Sequence, residues 1–352
     1  MIAKHTLTSE WINEVSAANN NADKVLIEKV IRALLLLEGL AESKLSFVFK
    51  GGTALMLLLN STKRLSIDID IIMPDNKDLD EAVAAIARAK GFTRVVLQSR
   101  KKQSNIEKAH YQFFYIPAYR TAREEEYVLL DILFETSKYQ QVIPLAIQAP
   151  FVKHEHEILQ VNTASLNDLL GDKLTAFAPA TTGIPYKKSG LSTAMEIIKQ
   201  LYDIGCLFDR VDNLPIISGT FHAFAITELG YRNLAPDSKV VLEDVYQTSL
   251  LISTRGQFGI GDLKALMTGI SNVSAFIFSE KYHIEKAITH AAKAAYLAKL
   301  IQFQKTSLEK FDNPLQVAEW SIEQPFITKL NKLKKTNPEA FFYWYKIYKM
   351  AA

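Results

Sequence analysis

The 352-residue sequence predicts an α+β chain in two parts: an N-terminal domain over residues 1–162, with a small mixed β-sheet flanked by helices, and a mainly helical region over residues 163–352. Helical spacing alternates with short apolar or β-branched runs up to about residue 160, and from Ser165 only helical spacing continues. No long flexible linker separates the two textures.

The first strong element is VLIEKVIRALLLLEGLA, expected as a helix over Val25–Leu40. Its four charges, Glu28, Lys29, Arg32 and Glu38, exclude a membrane span, which needs about 20 largely uncharged residues, so a core helix is expected. A short strand, LSFVFK (Leu45–Lys50), leads through Gly51 and Gly52 into a helix over Thr53–Asn60, and Ser66–Met73 alternates as a second strand. MPDNKD (Met73–Asp78) breaks the pattern, and the next helix, DEAVAAIARAKGF, stops at Gly91. TRVVLQSR, KAHYQFFYIPAY and EEYVLLDILFE complete the predicted sheet. The helical region opens with SLNDLLGDKLTAFA, breaks at TTGIPYKKSG (Thr181–Gly190), and resumes with STAMEIIKQLYDIGCLFDR.

Composition narrows the class. With 48% hydrophobic and 22% charged residues the chain is globular, and its single cysteine, Cys206, excludes an internal disulfide framework or a cysteine-based zinc site. The opening residues lack the apolar core and cleavage site of an export signal, so a cytoplasmic protein is expected. The charge is unevenly spread: Lys281–Ala352 holds 12 lysines and 6 acids, a net +6 that leaves −3 for residues 1–280. Basic segments with aromatic residues suit nucleic acid, although lysine-rich helix faces are also simply solvated.

The chemistry concentrates in KGGTALMLLLNSTKRLSIDID (Lys50–Asp70). Side chains alternate along a strand, so Asp68 and Asp70 are expected on one face, about 6.6 Å apart at a rise of about 3.3 Å per residue. Two carboxylates so placed repel and lose hydration, and a divalent cation between them offsets both costs. Magnesium suits such a site, because it takes one or two carboxylates together with substrate phosphates. Two ions about 3.5 to 4 Å apart need a third acid, and Asp131 inside YVLLDILFE is the candidate. Upstream, Gly51 and Gly52 allow close backbone approach, and amides at a helix start favour phosphate, with the Thr53 hydroxyl as a further donor. The plainer alternatives are an acid on a solvent-facing strand and an ordinary tight turn.

Together these residues resemble the nucleotidyltransferase domain of the AbiEii/AbiGii toxin family, within the DNA polymerase β-like superfamily: KGGTAL is followed by RLSIDID. NDLLGDKLTAFA (Asn167–Ala178) is similar to the family's second block, with Asp172 and Lys173 at its Asp-Lys pair, and IIKQLYDIGCL (Ile197–Leu207) to its last, with Lys199 and Asp203 in place. Gln200 stands where that block normally has its first acid, and the resemblance covers about Phe47–Leu207. It implies a transfer of a nucleotidyl group from a nucleoside triphosphate to an acceptor, with release of pyrophosphate. Lys50, Gly51, Gly52, Thr53 and Lys173 would hold the nucleotide. Asp68, Asp70 and Asp131 would hold two magnesium ions, or manganese, and with Lys173 and Asp203 form the catalytic set. Residues 165–207 would complete the active site. The implied acceptor is tRNA or another RNA, and the implied role is the toxin of a toxin–antitoxin or phage-defence system with a cognate antitoxin. The rival expectations are a small-molecule nucleotidyltransferase of the antibiotic type, and a degenerate member that only binds RNA or protein.

Other features are read plainly. Lys199 and Asp203 alone would be a surface ion pair at helical spacing. His154 and His156 in KHEHEI are expected on an exposed polar strand, Cys206 in the core, and FFYWYKIYK (Phe341–Lys349) packed against its own domain rather than stacking bases. The TTGIPYKKSG loop, with Gly183, Lys187 and Lys188, is a candidate substrate loop.

Overall fold

The computed structural model describes residues 1–43, 45–59, 64–75, 79–98, 107–119 and 121–351. Asn60, the turn residues Asn76 to Asp78, and Ser99 and Arg100 of the third expected strand lie outside the described residues. The chain divides into two compact units: Met1–Ser165 with Ala275–Glu280, and Leu166–Ser274 with Lys281–Ala352.

The first unit contains α1 (Ser9–Ala18), α2 (Lys24–Glu42), β1 (Val48–Lys50), α3 (Gly51–Leu58), β2 (Ile69–Met73), α4 (Leu79–Ala89), β3 (Arg94–Leu97), β4 (Lys108–Tyr115), β5 (Glu126–Phe134), β6 (Val142–Ala146) and β7 (Gln160–Ala164). Its sheet has seven strands in the order β3-β4-β5-β2-β1-β7-β6. The β2–β5 and β1–β7 pairs are parallel and the rest antiparallel, a mixed sheet with helices as expected. α2 is the central helix. Asp23 caps it by accepting from the Leu26 amide, and its charges are met inside: Glu28 accepts from the Ala118 amide, and Lys90 bridges Glu38 and Glu42 at 2.7 Å each. The segment Ala275–Glu280 joins this unit through Leu65 N–H donating to Phe276 O, Asn20 donating to Phe278 O, and a Phe151–Phe278 edge contact.

Several boundaries differ from expectation, with local causes. α3 starts at Gly51, so both glycines lie inside its first turn instead of ahead of it. The strand expected from Ser66 begins at Ile69, because the Asp68 carbonyl accepts a 2.6 Å hydrogen bond from the Thr53 hydroxyl; Asp68 therefore precedes the strand that carries Asp70. KHEHEI is not a strand. His154 makes a lone bridge to Ile2, its ring nitrogens are buried, and burial holds its pKa below the usual value. Strands β6 and β7 carried no clear sequence signal. Gly91 does end α4, with φ of +71°.

The second unit contains α5 (Leu166–Ala176), a short hairpin of β8 (Lys187–Lys188) and β9 (Leu191–Ser192), α6 (Ala194–Phe208), α7 (Leu214–Tyr231), α8 (Ser238–Ser253), α9 (Leu263–Val273), α10 (Ile284–Gln302), α11 (Leu333–Thr336) and α12 (Pro338–Ala351). Alanine-rich α10 is its buried centre, packed on α6, α8 and α12. Phe341, Phe342, Tyr343 and Trp344 are buried in α12, so this aromatic run is core, while Cys206 is only half-buried. Asp244 organises the TTGIPYKKSG loop by accepting from the Ala180 amide and the Thr181 hydroxyl. Among the described residues no helix is long and apolar enough to cross a membrane.

His290, on α10, makes the stability of this unit pH-sensitive. Burial between Tyr202 and Tyr282, reinforced by Lys293 and Lys286 and opposed by Asp203, holds its imidazole well below the ordinary value. The unfolded chain takes up a proton below about pH 6.5 that the folded chain refuses, so stability is expected to fall as pH drops through that value. The slope from one such group is at most about 1.4 kcal/mol per pH unit. Chemical denaturation from pH 7.5 to 5 is expected to show a shallower acid loss in His290→Gln than in wild type.

Candidate active site

The site grows from the turn between β1 and α3. Gly51 has φ of +82°, a conformation that strains residues with side chains. Space also demands glycine: a Cβ there would lie 2.1 Å from Asp70 Oδ2, so the Asp70 carboxylate is seated against the first turn of the helix. A Cβ on Gly52 would lie 2.6 Å from Ser66 Oγ and 2.7 Å from Arg64 Nη2. Arg64 is itself buried, and its Nη1 donates to the Leu65 carbonyl. Thr53 is fully buried, with its hydroxyl given to the Asp68 carbonyl; this ties the start of α3 to the Asp68–Asp70 segment. The opposite side of β1 is held by the Thr163 hydroxyl, which donates to the Phe49 carbonyl at 2.8 Å.

Strand register then assembles the charges. Lys50 faces Asp70 across β1–β2, Asp70 faces Asp131 across β2–β5, and Asp131 faces His110 across β5–β4. Directly paired residues on neighbouring strands share a face, so Lys50, Asp70, Asp131 and His110 form one row across four strands. The face is the open one: Asp131 alternates with buried Val128, Leu130 and Ile132, and Ile69 and Ile71 are buried on either side of half-buried Asp70. Adjacent strands lie about 4.8 Å apart, so the two carboxylates repel. A cation flanks one end of the row, since Lys50 neighbours Asp70 and has its ammonium 5.9 Å from the Tyr139 ring. At the other end, His110 Nδ1–H donates to Asp131 Oδ1 at 2.6 Å.

A hard divalent cation fits this chemistry. Two neighbouring carboxylates, one of them pressed against a helix N-terminus, would draw it. Among the described residues no three of His, Cys, Asp and Glu converge into a ready-made metal cage. The structure brings Asp70, Asp131, Lys50 and Gly51 together directly and keeps Asp68 two residues before Asp70, on the segment anchored by Thr53.

The remaining expected residues cluster within the helical unit. Lys173 on α5 is 7% exposed and Asp203 on α6 only 1%, and their Nζ and Oδ2 lie 3.0 Å apart. Asp203 is thus buried in an ion pair between two helices, where its spacing from Lys199 had suggested a surface position. Lys173 also donates to Gln200 Oε1 at 2.9 Å, so a neutral amide oxygen accepts from the lysine where the resemblance would place a second carboxylate. Asp172 precedes Lys173 on α5, and its carbonyl accepts from the Thr175 hydroxyl.

Arg64, Ser66 and His110 were not among the residues expected at the site. The first two were legible, because RLSIDID places Arg, Ser, Asp and Asp at every second position. The place of His110 depends on register and had no local signal.

Lys50, Asp70, Asp131 and His110 thus form a row of charged and polar side chains on one face of the mixed sheet, beside a glycine-started helix. The chain belongs to the family described as "Nucleotidyl transferase AbiEii toxin, Type IV TA system", which matches residues 35–254, more than half of its length and beyond the motif blocks on both sides. It is therefore a nucleotidyltransferase of the toxin type. Among solved structures it is similar to MenT4, a nucleotidyltransferase toxin from Mycobacterium tuberculosis H37Rv, with TM-score 0.51 and 15% identity over 83% of this chain and 89% of that one; at that identity the likeness concerns the fold alone. JHP933 from Helicobacter pylori also aligns, with TM-score 0.39 and 15% identity over 85% of this chain and 94% of that one. Comparison with curated proteins finds no match.

Proposed function

We propose that this toxin transfers a nucleoside monophosphate from a nucleoside triphosphate to a hydroxyl of RNA, with the 3′ end of tRNA as the expected acceptor, in a reaction dependent on magnesium or manganese. The observation that carries the reading is the registered row Lys50–Asp70–Asp131–His110 beside the Gly51–Gly52 helix start. The acceptor oxygen would attack the α-phosphorus: a new O–P bond forms, the bond from the α-phosphorus to the α,β-bridging oxygen breaks, pyrophosphate leaves, and the hydroxyl proton passes to solvent. The α3 amides offer donors for the polyphosphate at the positive end of a helix, and Lys50 adds a cation beside them. Asp68, Asp70 and Asp131 are the residues to hold the divalent cations, which would neutralise phosphate charge and lower the pKa of the acceptor hydroxyl. Within the helical unit, Asp203 and Gln200 hold the Lys173 ammonium in one orientation. The net +6 of Lys281–Ala352 supports a polyanionic acceptor over a small molecule. A cognate antitoxin would restrain the activity, and a cytoplasmic location follows from the proposed substrates.

The test is transfer of α-labelled nucleotide, each of the four in turn, to total RNA with magnesium or manganese, with Asp70→Ala as control. RNA labelling that disappears in Asp70→Ala is the expected result. Label confined to small molecules would move the enzyme to the antibiotic-type class, and no labelling of RNA with any nucleotide and either metal would overturn the acceptor assignment. Growth arrest on induced expression tests the toxin role separately.

A further inference from the structure

We propose that His110 is a positioning residue for the reaction: its imidazole fixes the Asp131 carboxylate so that one oxygen is engaged by the protein and the other is oriented for a cation. The inference rests on the reading of Asp131 as a cation ligand.

The geometry is specific. A carboxylate at the end of an aspartate side chain turns easily, because its terminal torsion is broad. A free Asp131 beside Asp70 would swing away from its like-charged neighbour, since registered like charges on adjacent strands repel. His110 opposes that motion. It sits directly opposite Asp131 in the β4–β5 register and donates from Nδ1 to Oδ1 at 2.6 Å. The imidazole is only 14% exposed and the carboxylate 32%, so the bond is partly shielded from water. The histidine is anchored as well: its carbonyl accepts from the Gln98 amide at 2.7 Å, and β4 is held between β3 and β5 on either side. A neutral imidazole suffices, since only the Nδ1 proton is used.

The arrangement follows the general rule that ligands of a metal are oriented by hydrogen bonds from behind, and that loss of such a partner weakens metal binding about 10- to 100-fold. An incidental hydrogen bond between two surface side chains would have no such effect. The two are separable by substitution. His110→Asn keeps an N–H donor near the Nδ1 position, whereas His110→Ala removes it.

The experiment is Mn²⁺ binding to the full-length protein, read from the electron paramagnetic resonance signal of the free ion, for wild type, His110→Ala, His110→Asn and Asp131→Ala. Turnover and KM for the nucleotide are measured on the same samples, and circular dichroism confirms their fold. The expected result is an ion lost in Asp131→Ala, bound about 10- to 100-fold more weakly in His110→Ala, and recovered to within a few-fold in His110→Asn, with turnover falling and KM for the nucleotide nearly constant. Unchanged Mn²⁺ affinity in His110→Ala, with the ion lost in Asp131→Ala, would overturn the role of His110 and leave the cation reading intact. Unchanged affinity in Asp131→Ala would overturn the ligand role of Asp131, and the inference with it.

Discussion

Gly51→Ala is expected to lower the turnover of labelled-nucleotide transfer at least about 100-fold while moving the melting temperature by only a few degrees. The added methyl would lie 2.1 Å from Asp70 Oδ2, whereas ordinary contacts begin at 3.4 Å, so the carboxylate or the helix start must shift by more than an ångström. A displacement of about 1 Å in a reacting assembly costs on the order of 100-fold in rate. The backbone penalty of a non-glycine residue at φ +82° is on the order of 1 kcal/mol, worth about 2–4 °C in a folding unit of about 150–250 residues. Asp70→Asn, which preserves shape and removes charge, should match or exceed the loss in rate. Full activity in Gly51→Ala would show that the tight seating of Asp70 has no part in the chemistry.

Lys173→Met is expected to destabilise the fold by about 3–5 kcal/mol, the usual cost of removing one partner of a buried ion pair. Asp203 would keep its carboxylate at 1% exposure without the ammonium at 3.0 Å, and the Gln200 amide cannot supply the missing charge. Equilibrium urea unfolding checks this. The double variant Lys173→Met with Asp203→Leu should regain most of the lost stability, because an apolar pair of similar volume replaces a desolvated one. Transfer activity of that double variant then separates the two uses of the lysine. A stable but inactive protein marks the Lys173–Asp203 pair as part of the reaction, and a stable, active one marks the pair as structural.

Much of the first unit was legible. The α2 pattern, the strands at KAHYQFFY and EYVLLDILF, and the GGT turn followed by Asp68 and Asp70 all depend on local rules: apolar period, β-branched content, and the freedom of glycine. Local rules failed where a distant partner intervened. Thr53 reads as a hydroxyl donor beside a phosphate site, yet it is buried and its hydroxyl is given to the Asp68 carbonyl. The spacing of Lys199 and Asp203 reads as a surface pair along one helix, yet Asp203 is buried against Lys173 from another. His154 and His156 read as an exposed strand because nothing in KHEHEI announces that Ile2, about 150 positions away, supplies the bridge.

The sequence by itself determined which residues bring the chemistry: two glycines at a helix start, paired aspartates, an isolated aspartate in an apolar strand, and a lysine and aspartate on successive helical blocks. Those choices are visible because each breaks a local expectation of charge or conformation. Only tertiary structure decided which of them meet. The parallel pairing of β2 with β5 puts Asp70 beside Asp131, and the antiparallel neighbours add Lys50 at one end and His110 at the other. Register is set by the packing of the buried isoleucines and leucines on the far face, and a one-residue slip would turn every one of these charges into the core.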